Sequence, residues 1–508
     1  MKDVQPDRAK APLVAALDIG TSSVKGAIYD ADGRQVAGSL GTSGCRFSNI
    51  ARGAAEFDTE QLAGEVFKCL DRLDSFCAGL DERVAAVGMC TFVGNLLGID
   101  DDNRPVTPLY TYADTRGSEQ VGRLADLIDE RECHLRTGCR FHPAYWPVRI
   151  MWLASRRREL FARVSRLVTF GQWIHLQLFG VATLSPSVAS WSGMLDRHAV
   201  DWDTHLVDIL PIGEKYLPDF SRGSPRNGLK SEYAARWPRL AAADWFDALA
   251  DGAAANVGSG CVVADRVSLT VGTSSALRVV LDGSPADISR GLWCYRLDGR
   301  RSLLGGALTE GGNIHAWAKD TLRIEDSDEL ETRLARIPPG EHGLLVLPLL
   351  YGERCPGWAA DAKGAITGLT AQSGPEQILK ACMESVALRL ATVFELMQPA
   401  LGEEIEIVAS GGALLASSTW LQMMADVLGR QVSVSDVRQA SARGTALLAL
   451  EGLGEERESE EPGSLTGRVY EPDGGAHVAY TALAERQREL YSRLVAEKKR
   501  VTEGRRDE

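Results

Sequence analysis

Short apolar runs alternate with amphipathic stretches along this chain, and one of those runs occurs twice. Leu17-Asp-Ile-Gly-Thr-Ser-Ser23 returns without a gap as Leu269-Thr-Val-Gly-Thr-Ser-Ser275, at a separation of 252 residues (269 − 17). In each copy an apolar run leads into Gly-Thr-Ser-Ser and a second apolar run follows, 24–29 or 276–281, ending at Asp30 or Asp282. Two such runs joined by small turn formers predict a β-hairpin. Matching flanks half a chain apart predict a duplicated unit. Further strands are expected at 84–89, 96–100, 344–348 and 405–409, with helical runs over 148–161 and 419–428. That alternation predicts α/β domains.

A chain of 508 residues exceeds what one core usually serves, so two domains are expected. The reading is a flexible N-terminus at 1–12, a first domain at 13–258, a second at 259–455, and a connector with a C-terminal helix at 456–508. Gly258-Ser-Gly260 supplies small residues for a boundary that also serves as a hinge. The stretch 454–475 is rich in Glu, Gly, Ser and Pro and reads as an exposed connector. Beyond it Tyr480, Leu483, Leu490, Tyr491 and Leu494 approximate one apolar helix face, before a charged end at 498–508.

Composition narrows the function. Hydrophobic residues at 44% and charged residues at 25% describe a folded chain rather than a disordered one. A net charge of −13 argues against a general binder of nucleic-acid backbones, which needs a basic face. The ten cysteines contain no C-x-x-C pair, so no zinc ribbon or redox motif is expected, and the cluster of Cys133, His134, Cys139 and His142 matches no zinc spacing. Residues 1–12 are short and charged, and Asp18 interrupts the apolar run that follows, so neither a secretory signal nor a membrane span is read there. The expectation is a cytoplasmic enzyme acting on a small molecule, with a homodimer left open.

The chemistry lies in the repeated turns. No G-x-x-x-x-G-K-[ST] occurs and no G-x-G-x-x-G opens a helix, so phosphate must be held otherwise. A Gly-Thr-Ser turn can do so: glycine lets backbone approach a phosphate, adjacent N–H groups form an anion nest, and hydroxyls add donors. Gly20, Thr21 and Ser22 are the candidates in the first turn, Gly272 and Thr273 in the second. Asp18 offers a carboxylate suited to the water shell of Mg²⁺, and Lys25 adds positive charge. Thr270 replaces that aspartate in the second copy, which leaves one magnesium-handling carboxylate and two phosphate grips.

These segments resemble the FGGY carbohydrate kinases of the actin, Hsp70 and hexokinase superfamily, over roughly 13–452. Leu17 to Lys25 looks like the family's first phosphate motif and Leu269 to Ser274 like its second. Gly364-Ala-Ile-Thr-Gly-Leu369, followed by Gln377-Ile-Leu-Lys-Ala-Cys-Met-Glu384, is close to the family signature, with Cys382 as its one departure. A stretch from Tyr145 to Trp152 is similar to the other signature, with Arg149 where the pattern prefers Lys. Ala409-Ser-Gly-Gly-Ala413 looks like the adenosine-binding segment, with Gly411 and Gly412 admitting the nucleotide. The resemblance implies two duplicated actin-like (ribonuclease H-like) domains, an interdomain active site, ATP with Mg²⁺, and Asp251 as catalytic base. An Asp-Gly pair alone is more often a turn. With an ordinary pKa of about 3.9, Asp251 is expected to be ionised at neutral pH.

For the acceptor, Thr111-Tyr-Ala-Asp-Thr-Arg116 and Thr137-Gly-Cys-Arg-Phe-His-Pro143 resemble segments of gluconate-phosphorylating members. They nominate Asp114, Arg116, His142 and, nearby, Arg149 for the substrate, with Arg116, His142 and Arg149 as the local cations that a net-negative protein needs to hold an anionic sugar acid; the alternative for Asp114 and Arg116 is a surface ion pair. Phe92-Val-Gly-Asn95 stands where relatives carry a histidine, which makes Asn95 the polar group at that edge. The resulting expectation is a kinase for a sugar acid, sugar or polyol, with D-gluconate first. A xylulokinase-like ketose or polyol kinase, and an actin-like ATPase or sugar-binding protein without kinase activity, remain as alternatives.

Overall fold

The computed structural model describes residues 2–46, 53–221, 223–325, 327–455 and 465–496. Two sheets organise it, each opening with one of the repeated hairpins. In the first, Leu13–Ile19 and Ser23–Tyr29 pair antiparallel, Gly41–Gly44 extends the edge, and Val84–Thr91 joins Leu13–Ile19 in parallel. The short strands Asp244–Trp245 and Leu249–Ala250 both add in parallel to Val84–Thr91. In the second, Arg266–Val271 and Ser275–Asp282 form the hairpin; Arg301–Leu308 and Trp293–Arg296 continue antiparallel beyond it. On the other side Glu406–Ser410 and then Val432–Ser435 run parallel, closed by Thr466–Tyr470. The hairpin thus has the same place in both sheets, with an antiparallel wing on one flank and parallel strands on the other.

Apolar runs became the central strands for the expected reason. Leu13, Val14, Ala15, Ala16 and Leu17 are all buried, as a strand covered on both faces requires. The helical stretch over 148–161 is two helices, Trp146–Arg156 and Arg158–Phe161, broken where Arg157 leaves helical geometry. Part of the expected connector is structured: Thr466–Tyr470 is the edge strand of the second sheet, while residues 456–464 lie outside the described residues. The tail helix Gly474–Tyr491 buries Tyr480 and Leu483, whereas Leu494 is exposed. The charged end from 497 onward lies outside the described residues.

The region around Gly258 is not a loose hinge. It ends the helix Asp251–Gly258, where a Cβ would fall 1.8 Å from the Ala440 carbonyl oxygen; on the facing helix Ala440–Gly452, a Cβ on Gly444 would fall 1.8 Å from that of Ala254. Glycine is needed there for close backbone approach rather than freedom. Arg443 locks the crossing, donating from Nη1 to the Gly258 carbonyl at 2.6 Å and from Nε to the Gly33 carbonyl at 3.0 Å. Helix Ala440–Gly452 also packs on Leu13–Ile19 and Val84–Thr91, so a late segment of chain completes the core beneath the first sheet. No helix among the described residues is long and apolar enough to cross a membrane.

Candidate active site

Asp18 and Lys25 of the first hairpin, and Thr270, Gly272 through Ala276 and Arg278 of the second, line one cleft of about 660 Å³. Asp18 lies directly across the hairpin from Lys25. Burial holds its pKa above the ordinary carboxylate range, opposed by the Lys25 charge and by the Cys90 thiol, whose Sγ is 3.6 Å away. Lys25 Nζ donates to Gln439 Oε1 at 3.2 Å, a contact that ties the two halves of the chain across the cleft. Gly20, Thr21 and Ser22 stand outside the lining; their turn is closed by the Gly20 N–H donating to the Ser23 carbonyl at 3.0 Å.

Asp251 opens the helix Asp251–Gly258 at the end of the short strand Leu249–Ala250, so the pair Asp251-Gly252 is a helix start rather than a turn. Its Oδ1 accepts from the Gly252 N–H at 2.7 Å. A helix N-terminus favours a carboxylate. Burial works against it first and the Asp18 charge second, and together they push Asp251 up to about 7. The expectation of a fully ionised aspartate at neutral pH is therefore corrected: the Asp251 carboxyl is poised near neutrality.

At the other end, Gly411 and Gly412 line the cleft beyond the strand Glu406–Ser410. Gly411 has φ +96° and a Cβ there would meet the Val271 carbonyl at 2.4 Å, so no other residue fits; Gly412 and Gly272 have open space where a Cβ would stand. Thr270 shares a hydrogen bond of 2.9 Å with Ser410, joining the second turn to this segment where the first hairpin has its carboxylate.

The residues expected at the acceptor divide. His142 lines the cleft; its Nδ1 accepts from the Ala144 N–H at 3.1 Å, leaving Nε2 as the donor. Burial and the charges of Arg354 and Arg149 lower its pKa to about 3, so it is neutral and supplies a hydrogen bond rather than the expected cation. Asn95 is buried away from the cleft, its Nδ2 donating to the Phe92 carbonyl at 2.5 Å and its Oδ1 accepting from the Phe170 N–H at 2.8 Å; Gly94 lines the cleft instead. Arg149 is also buried behind the wall and donates to the carbonyls of Gly94, Thr111 and Pro143. Arg116 is held by Asp114 and Glu56, with its guanidinium 5.0 Å from the Trp152 ring centroid. Asp114 in turn accepts from the Ala55 N–H at 3.2 Å. None of Asn95, Asp114, Arg116 or Arg149 lines the cleft; they build the wall on which Tyr112 and His142 stand.

Other cleft residues had no motif to announce them. Arg278 and Arg354 are its cations beside His142 and Asp251. Trp191, Tyr295 and Trp293 form a stack, with centroids 3.8 Å apart for Trp191 and Tyr295 and 4.5 Å for Tyr295 and Trp293, and Tyr145 joins it through a 2.6 Å hydroxyl contact with Tyr295. An aromatic wall of this kind suits the C–H face of a carbohydrate. The signature residues at 364–369 and 377–384 lie outside the lining. They form part of a short sheet and of the helix Pro375–Met397, where Glu384 receives a 2.9 Å bond from His342 Nε2.

Duplicated sheets around a cleft that presents glycine-opened backbone, a desolvated aspartate and a carbohydrate-like aromatic wall define a two-domain, actin-like phosphotransferase acting on sugar hydroxyls. Residues 13–258 match the N-terminal domain of the FGGY family of carbohydrate kinases and residues 267–452 match its C-terminal domain; this chain belongs to that family, whose members use ATP as phosphate donor. It is 26% identical to a gluconokinase of Bacillus subtilis, covering 89% of this chain and 90% of that one. It is 24% identical to a xylulose kinase of Lactococcus lactis, covering 87% and 88%. Among solved structures, a gluconate kinase from Lactobacillus acidophilus superposes with a TM-score of 0.87 at 25% identity, over 95% of this chain and 98% of that one. A xylulose kinase from the same organism gives 0.88 at 26%, with the same coverage.

Proposed function

We propose that this kinase transfers the γ-phosphoryl group of ATP to the terminal primary hydroxyl of a sugar acid, with D-gluconate first, in the cytoplasm. The observation that carries the catalytic part is Asp251, desolvated to a pKa of about 7 and set in the same cleft as both hairpins. Asp251 orients the acceptor hydroxyl and takes its proton as the oxygen bonds to phosphorus; the bond from phosphorus to the β,γ-bridging oxygen breaks and ADP leaves. The second turn and Gly411–Gly412 hold the nucleotide by backbone, and the aromatic stack with His142 holds the acceptor.

Two buried carboxylates in one cleft, Asp18 with Lys25 beside it and Asp251 raised in part by the Asp18 charge, fit a hydrated divalent cation near Asp18. Mg²⁺ bound there would neutralise phosphate charge. The similarity to gluconokinases and the cationic acceptor wall support the acid; the equal likeness to xylulose kinases makes a ketose the second reading. The test is Asp251→Asn, assayed for ADP release over sugar acids, ketoses and polyols. Turnover should fall by at least ~10²-fold with ATP affinity retained. Turnover like the wild type would move the base elsewhere, and a tenfold preference for a ketose or polyol would overturn the acid.

A further inference from the structure

Arg278 sits on the returning strand of the second hairpin, opposite Ser268, and both residues line the cleft. Its Nε is 3.7 Å from the place a Cβ on Gly252 would occupy, which puts the guanidinium beside the start of the Asp251 helix. Among the described residues its side chain has no hydrogen-bond or ion-pair partner, although burial disfavours its charge. Arg354 is its neighbour. One N–H of Arg354 donates to the Leu308 carbonyl at 3.1 Å, and its other donors find no acceptor among the described residues.

Both guanidiniums line the cleft, the charge of Arg354 adds to burial in disfavouring that of Arg278, and the nearby carboxylates compensate them incompletely. Asp251 and Glu310 are each raised to about 7 by burial. Uncompensated charge of this kind calls for an anion from outside the protein. The donor phosphates are served at the other end by Gly272 through Ser275 and Gly411–Gly412. Arg354 belongs to the acceptor wall: its charge acts on His142 and Tyr145, and Trp358, four residues on, packs its ring 5.9 Å from His142. Asp251 feels Arg278, and Arg278 feels Arg354, so the two arginines lead from the base toward that wall. An extended six-carbon acid has its carboxylate at the end remote from its terminal hydroxyl. A cation one step beyond the base is where that carboxylate would be read.

We propose that Arg354, backed by Arg278, is the specificity element that selects a carboxylate-bearing acceptor, the role that the sequence had suggested for Arg116 and Arg149. This rests on the sugar-acid reading above. The test compares D-gluconate with D-glucitol, the polyol of the same carbon skeleton, for the wild type, Arg354→Met, Arg354→Lys and Arg278→Met, with KM for ATP measured in parallel. Arg354→Met should lower kcat/KM for gluconate about 10- to 100-fold, mainly through KM, while glucitol and ATP change by less than about twofold. Arg354→Lys, which keeps the charge but not the fork, should recover part of the loss. Calorimetric binding of gluconate, with ADP binding as the control for a folded protein, reads the same loss where glucitol is not turned over, and Arg354→Lys carries the test if the methionine variant does not fold.

Equal losses on gluconate and glucitol would make Arg354 structural, and a raised KM for ATP would assign it to the donor; either overturns the proposal. A wild-type enzyme that prefers the acid, with an Arg354→Met variant that keeps that preference, overturns the assignment alone. A wild-type enzyme that prefers a neutral acceptor tenfold overturns the sugar-acid reading beneath it.

Discussion

The two Gly-Thr-Ser-Ser hairpins are near-identical in sequence and differ by one residue in how they close. In the first, the last strand pair is Ile19 with Val24, and four residues make the turn; in the second it is Val271 with Ser275, and three do. Because side chains alternate across a strand, that single residue inverts the returning strand. Lys25, opposite Asp18, faces the cleft, whereas its sequence counterpart Leu277 is fully buried in the core. Arg278, the counterpart of Gly26, takes the cleft position instead. The neighbours of each turn account for the closure. The carbonyls of Gly272 and Thr273 accept from the N–H groups of Gly312 and Asn313 at 2.7 and 3.1 Å, while the Ser22 carbonyl accepts from the Cys45 N–H at 3.1 Å. Duplication supplied two equal turns, and their surroundings made one an acid and lysine pair and the other a cleft-lining turn with an arginine behind it.

Forcing the second hairpin into the register of the first should have the largest effect. One glycine inserted between Thr273 and Ser274 would turn Arg278 toward the core and Leu277 toward the cleft, and burying an unpaired guanidinium costs several kcal/mol. The protein should lose cooperative thermal unfolding; a folded insertion variant with Tm near the wild type would mean that the register does not matter.

Asp18→Asn comes next, since it erases the carboxylate that distinguishes the first hairpin. Turnover should fall ~10²-fold or more at fixed Mg²⁺, the size of an effect on charge neutralisation in phosphoryl transfer. Only a change of a few-fold would deny Asp18 that role.

The pH profile sharpens the same contrast. A base must be deprotonated, so kcat/KM should rise with pH along a limb near 7, where Asp251 titrates in the free enzyme. Removing the Asp18 charge removes one of the causes that raise Asp251, so in Asp18→Asn the limb should move to lower pH. A limb that stays in place would separate the two aspartates.

Lys25→Met should be the mildest change. Its side chain is partly buried and its ammonium donates to Gln439, and a partly solvated charge contributes about 1 kcal/mol, so KM for ATP should rise roughly fivefold with kcat little altered. A loss as large as that of Asp18→Asn would place Lys25 on the transferred phosphoryl group.

Much of this molecule was legible in its residues because the relevant physics is local. Turn formers between apolar runs determined both hairpins, the even spacing of the repeat determined the duplication, and the glycines at 272 and 411–412 marked backbone that lines the cleft. Asp251 was nominated by the family resemblance, since an Asp-Gly pair alone reads as a turn. What the tertiary structure alone decided was which polar side chains face the cleft. Arg116, Arg149 and Asn95 look like substrate ligands in a motif, yet their partners are Glu56, the Thr111 carbonyl and the Phe170 N–H, groups whose proximity depends on the fold. Arg278, Arg354, Trp191 and Tyr295 come from separate stretches of chain and converge only when the sheets close on each other. The proton affinity of Asp251 was equally out of reach, because desolvation and the charge of Asp18, 233 residues earlier (251 − 18), are properties of the assembled cleft and not of any local pattern.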